Sequence, residues 1–239
     1  MRISAVVAAV AVAFAVGAAQ AQDVVRLGVS NDRSGIYADL GGLGSEWAGR
    51  MAVADFDGKV AGKTVEVIGA DNQNKADVAS SLVRRWFDTQ GVVAVVDGGA
   101  SSAGLAAQGV AREKGGAALI SGGFAGDFSG KQCSELSTQW APDTYALANA
   151  VVRSVVDQGG KSWYFITTDY VFGKSMEANA SRFVQTAGGK VLGSTRHPLG
   201  ALDFASFLLQ AQSSGADVVG LASAGGDLVN LIKQAQEFG

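Results

Sequence analysis

Residues 92–121, VVAVVDGGASSAGLAAQGVAREKGGAALIS, contain the unit from which the class of fold follows. The apolar run at 92–96 predicts a short buried strand, residues 103–114 predict a helix of small residues, and 117–121 predict the next strand. Strands separated by a helix of this length favour a parallel βαβ unit. Ligands of such sheets bind beyond the carboxyl ends of the strands, so the Gly- and Ser-rich segment before the helix is a candidate binding loop.

The same alternation continues on both sides of this unit. Further strands are predicted at 24–29, 64–69, 163–167, 190–195 and 217–222, and helices at 43–56, 77–89, 144–158, 174–187, 203–213 and 226–238. An irregular segment at 122–143 interrupts the pattern, which usually marks a functional loop or a crossing between units. We therefore expect an α/β fold with two units, residues 22–142 and 143–239. The second has three strands, and we expect it to be incomplete.

The first 21 residues have the pattern of a secretory signal peptide. A single Arg precedes an apolar run from Ala5 to Ala19, and Ala19-Gln20-Ala21 resembles a cleavage site. The alternative is an N-terminal membrane anchor, but the run is short for a membrane span. We expect cleavage after Ala21 and a location in the bacterial periplasm.

The composition excludes several classes of function. The net charge is −3 with scattered Lys and Arg, so no nucleic-acid partner is expected. The phosphate-binding patterns GxxxxGK[ST] and GxGxxG are absent, and we expect no cofactor. Cys133 and His197 are the only residues of their types, so we expect no metal site. His197 precedes a Pro and is expected on a surface loop. A serine hydrolase that uses Ser101 or Ser102 would then lack a general base.

Aromatic residues on predicted helices and strands are expected to be core residues. They are Trp47, Trp86, Phe87 and Trp163. Trp140 lies in the irregular segment and is an alternative candidate for the border of a cleft. Tyr145 begins a helix and is expected to be structural.

The loops after the predicted strands combine Gly or Ser with an aromatic residue or an Asp. This suits a cleft that holds a small ligand by backbone and hydroxyl hydrogen bonds and by ring packing. Ser102 is a good helix N-cap, and free N–H groups at the start of a helix attract an anion such as a carboxylate. The alternative is that Ser102 only caps its own helix.

Several longer segments resemble one known family. They are RLGVSNDRSGIYADLGGLGSEWAGRMAVADF (26–56), VVDGGASSAGLAAQGVAREKG (95–115), ISGGFAGDFSGKQCSELSTQWAPDTYALANAV (120–151) and TTDYVFGKSMEANASRF (167–183). They are similar to the periplasmic solute-binding proteins of the branched-chain amino acid type, which are receptors of ABC importers. The resemblance implies two Rossmann-like lobes (a type I periplasmic binding protein) that close on a ligand. It also implies a monomer that delivers the ligand to an ABC permease in the inner membrane.

The resemblance also implies a set of ligand-binding residues. Ser102 matches the Ser that holds a ligand carboxylate, with Ser101 beside it. The other residues of the implied site are Tyr37, Gly123, Phe124, Ala125, Tyr170, Phe172, Ala224 and Asp227. No catalytic residue is implied.

Two departures from the family bear on the ligand. Amino-acid binders usually have Thr where Ala125 stands, and Phe124 replaces a small residue. A buried zwitterion would lose partners here, so a small carboxylate, an aromatic compound or an amide is expected.

The family's chains also continue further, and a partner for Cys133 would lie in that part. A sensory module of the same fold remains the alternative to a transport receptor.

Overall fold

The computed structural model describes residues 24–238. The expected signal peptide, residues 1–21, lies outside the described residues. Within them, no helix is both long enough and apolar enough to cross a membrane.

The first lobe is built on a six-stranded sheet in the order β2-β3-β1-β4-β5-β6. Its elements are β1 (Val24–Asn31), α1 (Gly42–Ala54), β2 (Lys59–Val60), β3 (Lys63–Asp71), α2 (Ala76–Thr89), β4 (Val92–Asp97), α3 (Ser101–Glu113), β5 (Ala117–Ile120) and β6 (Ser137–Gln139). All neighbouring strands are parallel except the short β2, which is antiparallel to β3.

The second lobe follows β6 and contains a three-stranded parallel sheet in the order β8-β7-β9. Its elements are α4 (Thr144–Asp157), β7 (Ser162–Thr168), α5 (Val171–Thr186), β8 (Lys190–His197), α6 (Ala205–Ser213), β9 (Val218–Ala222) and α7 (Gly225–Phe238). The predicted α/β class with two parallel units is confirmed. In both sheets the chain leaves its first strand toward one side and later returns to the other side, which opens a crevice at the carboxyl ends.

Helix α2 shows how the first core forms. Its buried residues Ala79, Leu82, Val83 and Trp86 are spaced three and four apart, so they form one apolar stripe against the sheet. The ring of Trp86 lies over Gly28, where a side chain would collide with it. The expectation that Trp86 is a core residue is confirmed.

Of the other three aromatic residues expected in the core, two are buried or partly buried and one is exposed. Trp163 is 3% exposed and packs in the second lobe, and Phe87 is partly buried against the first core. The expectation for Trp47 is wrong, since it is 65% exposed. Helix α1 turns its small residue Gly49 toward Val67 on the sheet, which leaves Trp47 on the opposite face.

The irregular segment 122–143 carries an element that the sequence did not predict. Strand β6 lies within it and pairs with β5 through Ala118, Leu119 and Ile120. A three-residue strand without an apolar run gives no periodic signal. Cys133, in the same segment, is exposed and unpaired.

Candidate ligand-binding cleft

A cavity of about 530 Å³ lies between the two lobes. It is bordered in the first lobe by residues at or after the ends of β1, β4 and β5, and in the second by residues that follow β7 and β9 and by one residue of α4. The lining residues of the first lobe, here called the first-lobe wall, are Asn31, Asp32, Tyr37, Leu40, Gly41, Gly42, Ser45, Asp97, Gly99, Ala100, Ser101, Ser121, Gly122 and Phe124. Those of the second lobe, the second-lobe wall, are Leu147, Tyr170, Phe172, Ala224, Gly225 and Leu228.

Asp97 ends β4 and is a buried carboxylate of the first-lobe wall, 3% exposed. Its Oδ2 accepts a hydrogen bond from Asn31 Nδ2 at 2.8 Å, while its Oδ1 has a hydroxyl donor, Ser121 Oγ, at 3.5 Å. The backbone of Asp97 is left-handed, with φ of 77°. That conformation is uncommon outside Gly and often occurs at functional sites.

Asp32 lies in the same wall but has a full set of partners. Its Oδ1 accepts from the N–H groups of Ser34 and Gly35 at 3.3 and 2.8 Å. Its Oδ2 accepts from the N–H of Tyr37 at 2.9 Å and from Asn74 Nδ2 at 2.6 Å. Asp32 therefore shapes the loop that carries Tyr37.

The hydrogen bonds of the Ser101 hydroxyl determine that it can act only as a donor toward a ligand. Its oxygen accepts from the N–H groups of Phe124 and Ala125, both at 3.2 Å. With its lone pairs occupied and no acceptor for its proton among the described residues, the hydroxyl is free to donate. It lies at the start of α3, whose first N–H groups lack intrahelical acceptors. Together these groups can hold an anionic oxygen.

The prediction that Ser102 is the N-cap of its helix is wrong, and so is the alternative that it only caps that helix. The cap residue is Ala100, which makes no side-chain capping bond, and Ser101 and Ser102 are the first helical residues. Ser102 does not line the cavity. Its Oγ instead accepts from the N–H of Val171 in the second lobe at 3.4 Å.

Two tyrosines join the lobes at the edge of the cavity. The hydroxyls of Tyr37 and Tyr170 are 2.6 Å apart and share a hydrogen bond. Burial raises the pKa of Tyr37 to about 12, although the bond to Tyr170 partly opposes this. Burial, and then the neighbouring Tyr37, raise the pKa of Tyr170 well above its usual range. Both phenols are therefore neutral donors and acceptors at physiological pH.

Further contacts between the lobes surround the cavity. The rings of Phe124 and Phe172 meet edge to face with centroids 6.3 Å apart. The N–H of Gly226 donates to Ile36 O at 3.1 Å. Gly225 has a φ of 56°, and a side chain there would collide with Tyr37. A glycine at this position lets the start of α7 approach the loop after β1.

The expectation that His197 lies on a surface loop is wrong. Strand β8 extends to His197, which is 0% exposed and is packed against Phe204 and Phe207. Its Nε2 lies 2.6 Å from Ser223 Oγ, and Ser223 Oγ lies 2.6 Å from Thr168 Oγ1.

This cluster is not built as a catalytic triad. Nδ1 of His197 lies 2.9 Å from Pro198 O, and because a carbonyl oxygen only accepts, Nδ1 must donate there. Asp227 Oδ2 is further away, at 3.9 Å from Nδ1. Ser223 is buried and does not line the cavity. These contacts tie together the ends of β7, β8 and β9.

Asp227 lies behind the second-lobe wall, 1% exposed. Its Oδ2 accepts from the N–H of Gly200 at 3.0 Å, and its Oδ1 has no partner among the described residues. Burial raises the pKa of Asp227, and the Gly200 N–H and His197 only partly oppose this.

The structure brings most of the expected site residues to one cavity. Those that line it are Tyr37, Ser101, Phe124, Tyr170, Phe172 and Ala224, whereas Ser102, Gly123, Ala125 and Asp227 do not. Trp140 is 75% exposed and does not line it either. In the described part of the chain, no group of three or more His, Cys, Asp or Glu side chains is placed to hold a metal ion.

Sequence reasoning missed several polar residues of the wall. Asn31, Asp97 and Ser121 each stand at or directly after the end of a strand. The signal was present in the polar residues that follow the apolar runs 24–29, 92–96 and 117–120. Strands β1 and β4 extend past those runs, so Asn31 and Asp97 belong to the strand ends and not to the loops that the sequence pattern indicates.

Comparisons with known proteins agree on one family. The family model described as periplasmic binding protein matches residues 24–239. A search of curated proteins found no match. The resemblance inferred from the sequence is confirmed.

Solved structures give the same result. A periplasmic binding protein from Burkholderia mallei is 51% identical, with a TM-score of 0.87, over 90% of this chain and 58% of that protein. A branched-chain amino acid ABC transporter periplasmic ligand-binding protein from Burkholderia xenovorans LB400 is 37% identical, with a TM-score of 0.73, over 90% and 57%.

A more distant neighbour shares the fold alone. It is a solute-binding protein of an ABC transporter from Rhodopseudomonas palustris HaA2, solved with p-hydroxybenzoic acid. It is 22% identical, with a TM-score of 0.81, over 91% of this chain and 59% of that protein. This chain therefore spans less than two thirds of the length of these relatives.

Proposed function

This chain belongs to the periplasmic binding protein family, and we propose that it is the substrate-binding receptor of an ABC importer. In this proposal the protein acts in the periplasm as a monomer and is not an enzyme. It binds a small carboxylate, aromatic compound or amide between its lobes and presents it to a permease in the inner membrane. The observation that carries the proposal is the cavity between the lobes, which both lobes line.

The cavity has the size and position of a small-molecule site. Its volume of about 530 Å³ lies within the usual range for ligand pockets, roughly 300–1,000 Å³. It lies at the carboxyl ends of parallel strands, where open α/β sheets bind ligands.

The first-lobe wall supports an anionic or acceptor group on the ligand. Ser101 offers a hydroxyl proton, and the first turn of α3 offers unpaired N–H groups. A carboxylate would gain these hydrogen bonds and the favourable end of the helix dipole without a Lys or Arg.

The aromatic side chains support a flat or apolar ligand body. Tyr37, Phe124, Tyr170 and Phe172 line the cavity together. Aromatic rings pack well edge to face or in an offset stack, at centroid distances of 4.5–7 Å. The p-hydroxybenzoic acid complex of the distant neighbour is in keeping with such a ligand.

Two other functions compete with that of a transport receptor. A sensory module of the same fold would use the same cavity, and uptake assays in cells that lack the protein separate it from a transport receptor. A secreted serine hydrolase gains no support, since Ser101 binds two backbone N–H groups and Ser223, which contacts His197, is buried away from the cavity.

The test is a thermal-shift screen of the purified protein against small aromatic acids, amides and amino acids, followed by titration calorimetry of the compounds that stabilise it. A ligand present at 100 times its Kd should stabilise the protein by about 2.7 kcal/mol. Mass spectrometry should recover that ligand unchanged. A broad library without any stabilising compound, or recovery of a cleaved product, would contradict the proposal.

A further inference from the structure

We propose that Asp97 selects ligands that carry a hydrogen-bond donor in addition to their anionic or acceptor group. The donor would be a hydroxyl, an amide NH2 or an ammonium group. This inference rests on the proposed function, because it assigns a specificity-determining residue to the same cavity.

The comparison with Asp32 shows why Asp97 is available to a ligand. Both carboxylates line the cavity, but each oxygen of Asp32 already accepts two hydrogen bonds, three of them from N–H groups of its own loop and one from Asn74 Nδ2. Asp97 has one short donor, from Asn31 to Oδ2, and the hydroxyl at 3.5 Å from Oδ1 is at the limit of a hydrogen bond. A carboxylate has about four lone-pair sites, so Asp97 can accept further donors.

No positive charge in the wall compensates Asp97. In the described part of the chain, the residues that line the cavity include no Lys, Arg or His. A ligand that fills the cavity displaces the water that would otherwise solvate this carboxylate. A ligand with a donor restores the lost hydrogen bond, whereas a ligand without one leaves a buried acceptor unpaired, which is penalised.

The positions of Asp97 and Ser101 define where the two ends of the ligand would lie. Asp97 approaches Ser121 and Gly122, while Ser101 binds the N–H groups of Phe124 and Ala125. The two side chains therefore contact opposite ends of one short segment. The four residues from 121 to 124 are three Cα–Cα steps apart and span at most about 11 Å. One small ligand can therefore place an acceptor at Ser101 and a donor at Asp97.

The backbone of this loop is consistent with a role for the side chain. Asp97, Gly98 and Gly99 all have positive φ, at 77°, 86° and 60°. Glycine adopts this conformation without strain, but Asp does so at a cost. An Asp among these glycines indicates that its carboxylate contributes something that glycine would not.

The experiment uses two matched pairs of compounds that differ in the donor. They are 4-hydroxybenzoate with 4-methylbenzoate, and L-leucine with 4-methylpentanoate. Calorimetry on the wild type should give at least about a tenfold preference for the donor compound in at least one pair. A factor of ten corresponds to about 1.4 kcal/mol.

Two variants remove the carboxylate without forcing a new backbone shape. Asp97→Asn keeps the shape of the side chain, and Asp97→Gly suits the positive φ. Both should reduce the preference to within about threefold. The control is Asp71→Asn, which removes the same charge at a position that does not line the cavity, and it should keep the wild-type preference.

The outcomes separate this inference from the proposed function. If compounds of either pair bind but the wild type shows no donor preference, or both Asp97 variants keep it, the role of Asp97 is overturned and the receptor function stands. If none of the four compounds binds the wild type, both are overturned for these classes of ligand. Loss of the preference in the Asp97 variants alone supports the inference.

Discussion

The two walls of the cavity differ in whether their polar side chains can still form hydrogen bonds with a ligand. In the first lobe, Ser101 keeps a proton to donate and Asp97 keeps lone pairs to accept. In the second lobe, the polar side chains Thr168, His197 and Ser223 bind one another behind the wall. What the second lobe presents to the cavity is mainly apolar or aromatic.

This difference indicates a division of roles between the lobes. Groups that are already paired cannot gain further hydrogen bonds from a ligand, whereas groups with spare capacity can. The first lobe is therefore expected to recognise the polar groups of the ligand. The second lobe is expected to enclose the ligand through its rings and through contacts such as the Tyr37–Tyr170 bond.

The largest expected effect is on ligand affinity and comes from replacing Ser101 in the first lobe, for which Ser223 in the second lobe is the matched position. Ser101→Ala removes the donor and leaves the N–H groups of Phe124 and Ala125 without their acceptor. Affinity for a carboxylate ligand should fall about 10- to 100-fold, since each unmet hydrogen bond costs about 1–3 kcal/mol. Calorimetry measures the change.

Ser223→Ala is the matched variant in the second lobe. It leaves His197 Nε2 and Thr168 Oγ1 without their short partner, so the thermal midpoint should fall while affinity stays within about threefold. Equal losses of affinity in both variants would remove the distinction between the walls.

An intermediate effect is expected in the pH dependence of stability. For Asp71 in the first lobe, burial is outweighed by hydrogen bonds from Ser34 and the N–H groups of Gln73 and Arg33, and the pKa is lowered. The ionised Asp71 adds to the free energy of unfolding above the ordinary pKa of Asp, and this stabilisation is lost as the pH falls through the lowered pKa. For Asp227 in the second lobe, burial raises the pKa, so its contribution is lost as the pH rises through the raised one.

The two Asn variants should therefore differ from the wild type in opposite directions. At pH 7, Asp227→Asn should be more stable than the wild type by about 1 kcal/mol or more, and this gain should shrink toward pH 4. Asp71→Asn should be less stable at pH 7 by under about 1 kcal/mol, because its site is partly exposed to solvent. Urea unfolding at several pH values measures both. A gain for Asp227→Asn that does not depend on pH would contradict the assignment.

The smallest effect is expected for Ser102→Ala. The Ser102 hydroxyl accepts one long hydrogen bond from Val171 and does not line the cavity. Affinity should change by less than about threefold in calorimetry, in contrast to Ser101→Ala. A loss as large as that of Ser101→Ala would restore Ser102 as the residue that holds the ligand.

The fold could be predicted from the sequence largely because its strands are apolar runs and its helices have regular stripes. The α2 stripe of Leu82, Val83 and Trp86 is an example. Prediction failed where local pattern does not determine the outcome. Trp47 satisfies a helical stripe, but the sheet contacts the side of α1 that carries Gly49.

The loops that form the site could be predicted from the sequence, but not which of their side chains line the cavity or pair with one another. Ser101 and Ser102 are adjacent and chemically identical, and only the position of the helix start places Ser101 in the cavity. The contacts of His197 depend on strands that are far apart in sequence, because Thr168 ends β7 and Ser223 directly follows β9. Local patterns carry no information on such pairings.

The most direct measurement is the crystal structure of the protein with the tightest ligand from the panel. The ligand's carboxylate or other acceptor group is expected within hydrogen-bond distance of Ser101 Oγ and the first N–H groups of α3, with the ligand body against Phe124 and Phe172. A ligand whose polar groups are all held by the second lobe, or one bound outside the cavity, would contradict it.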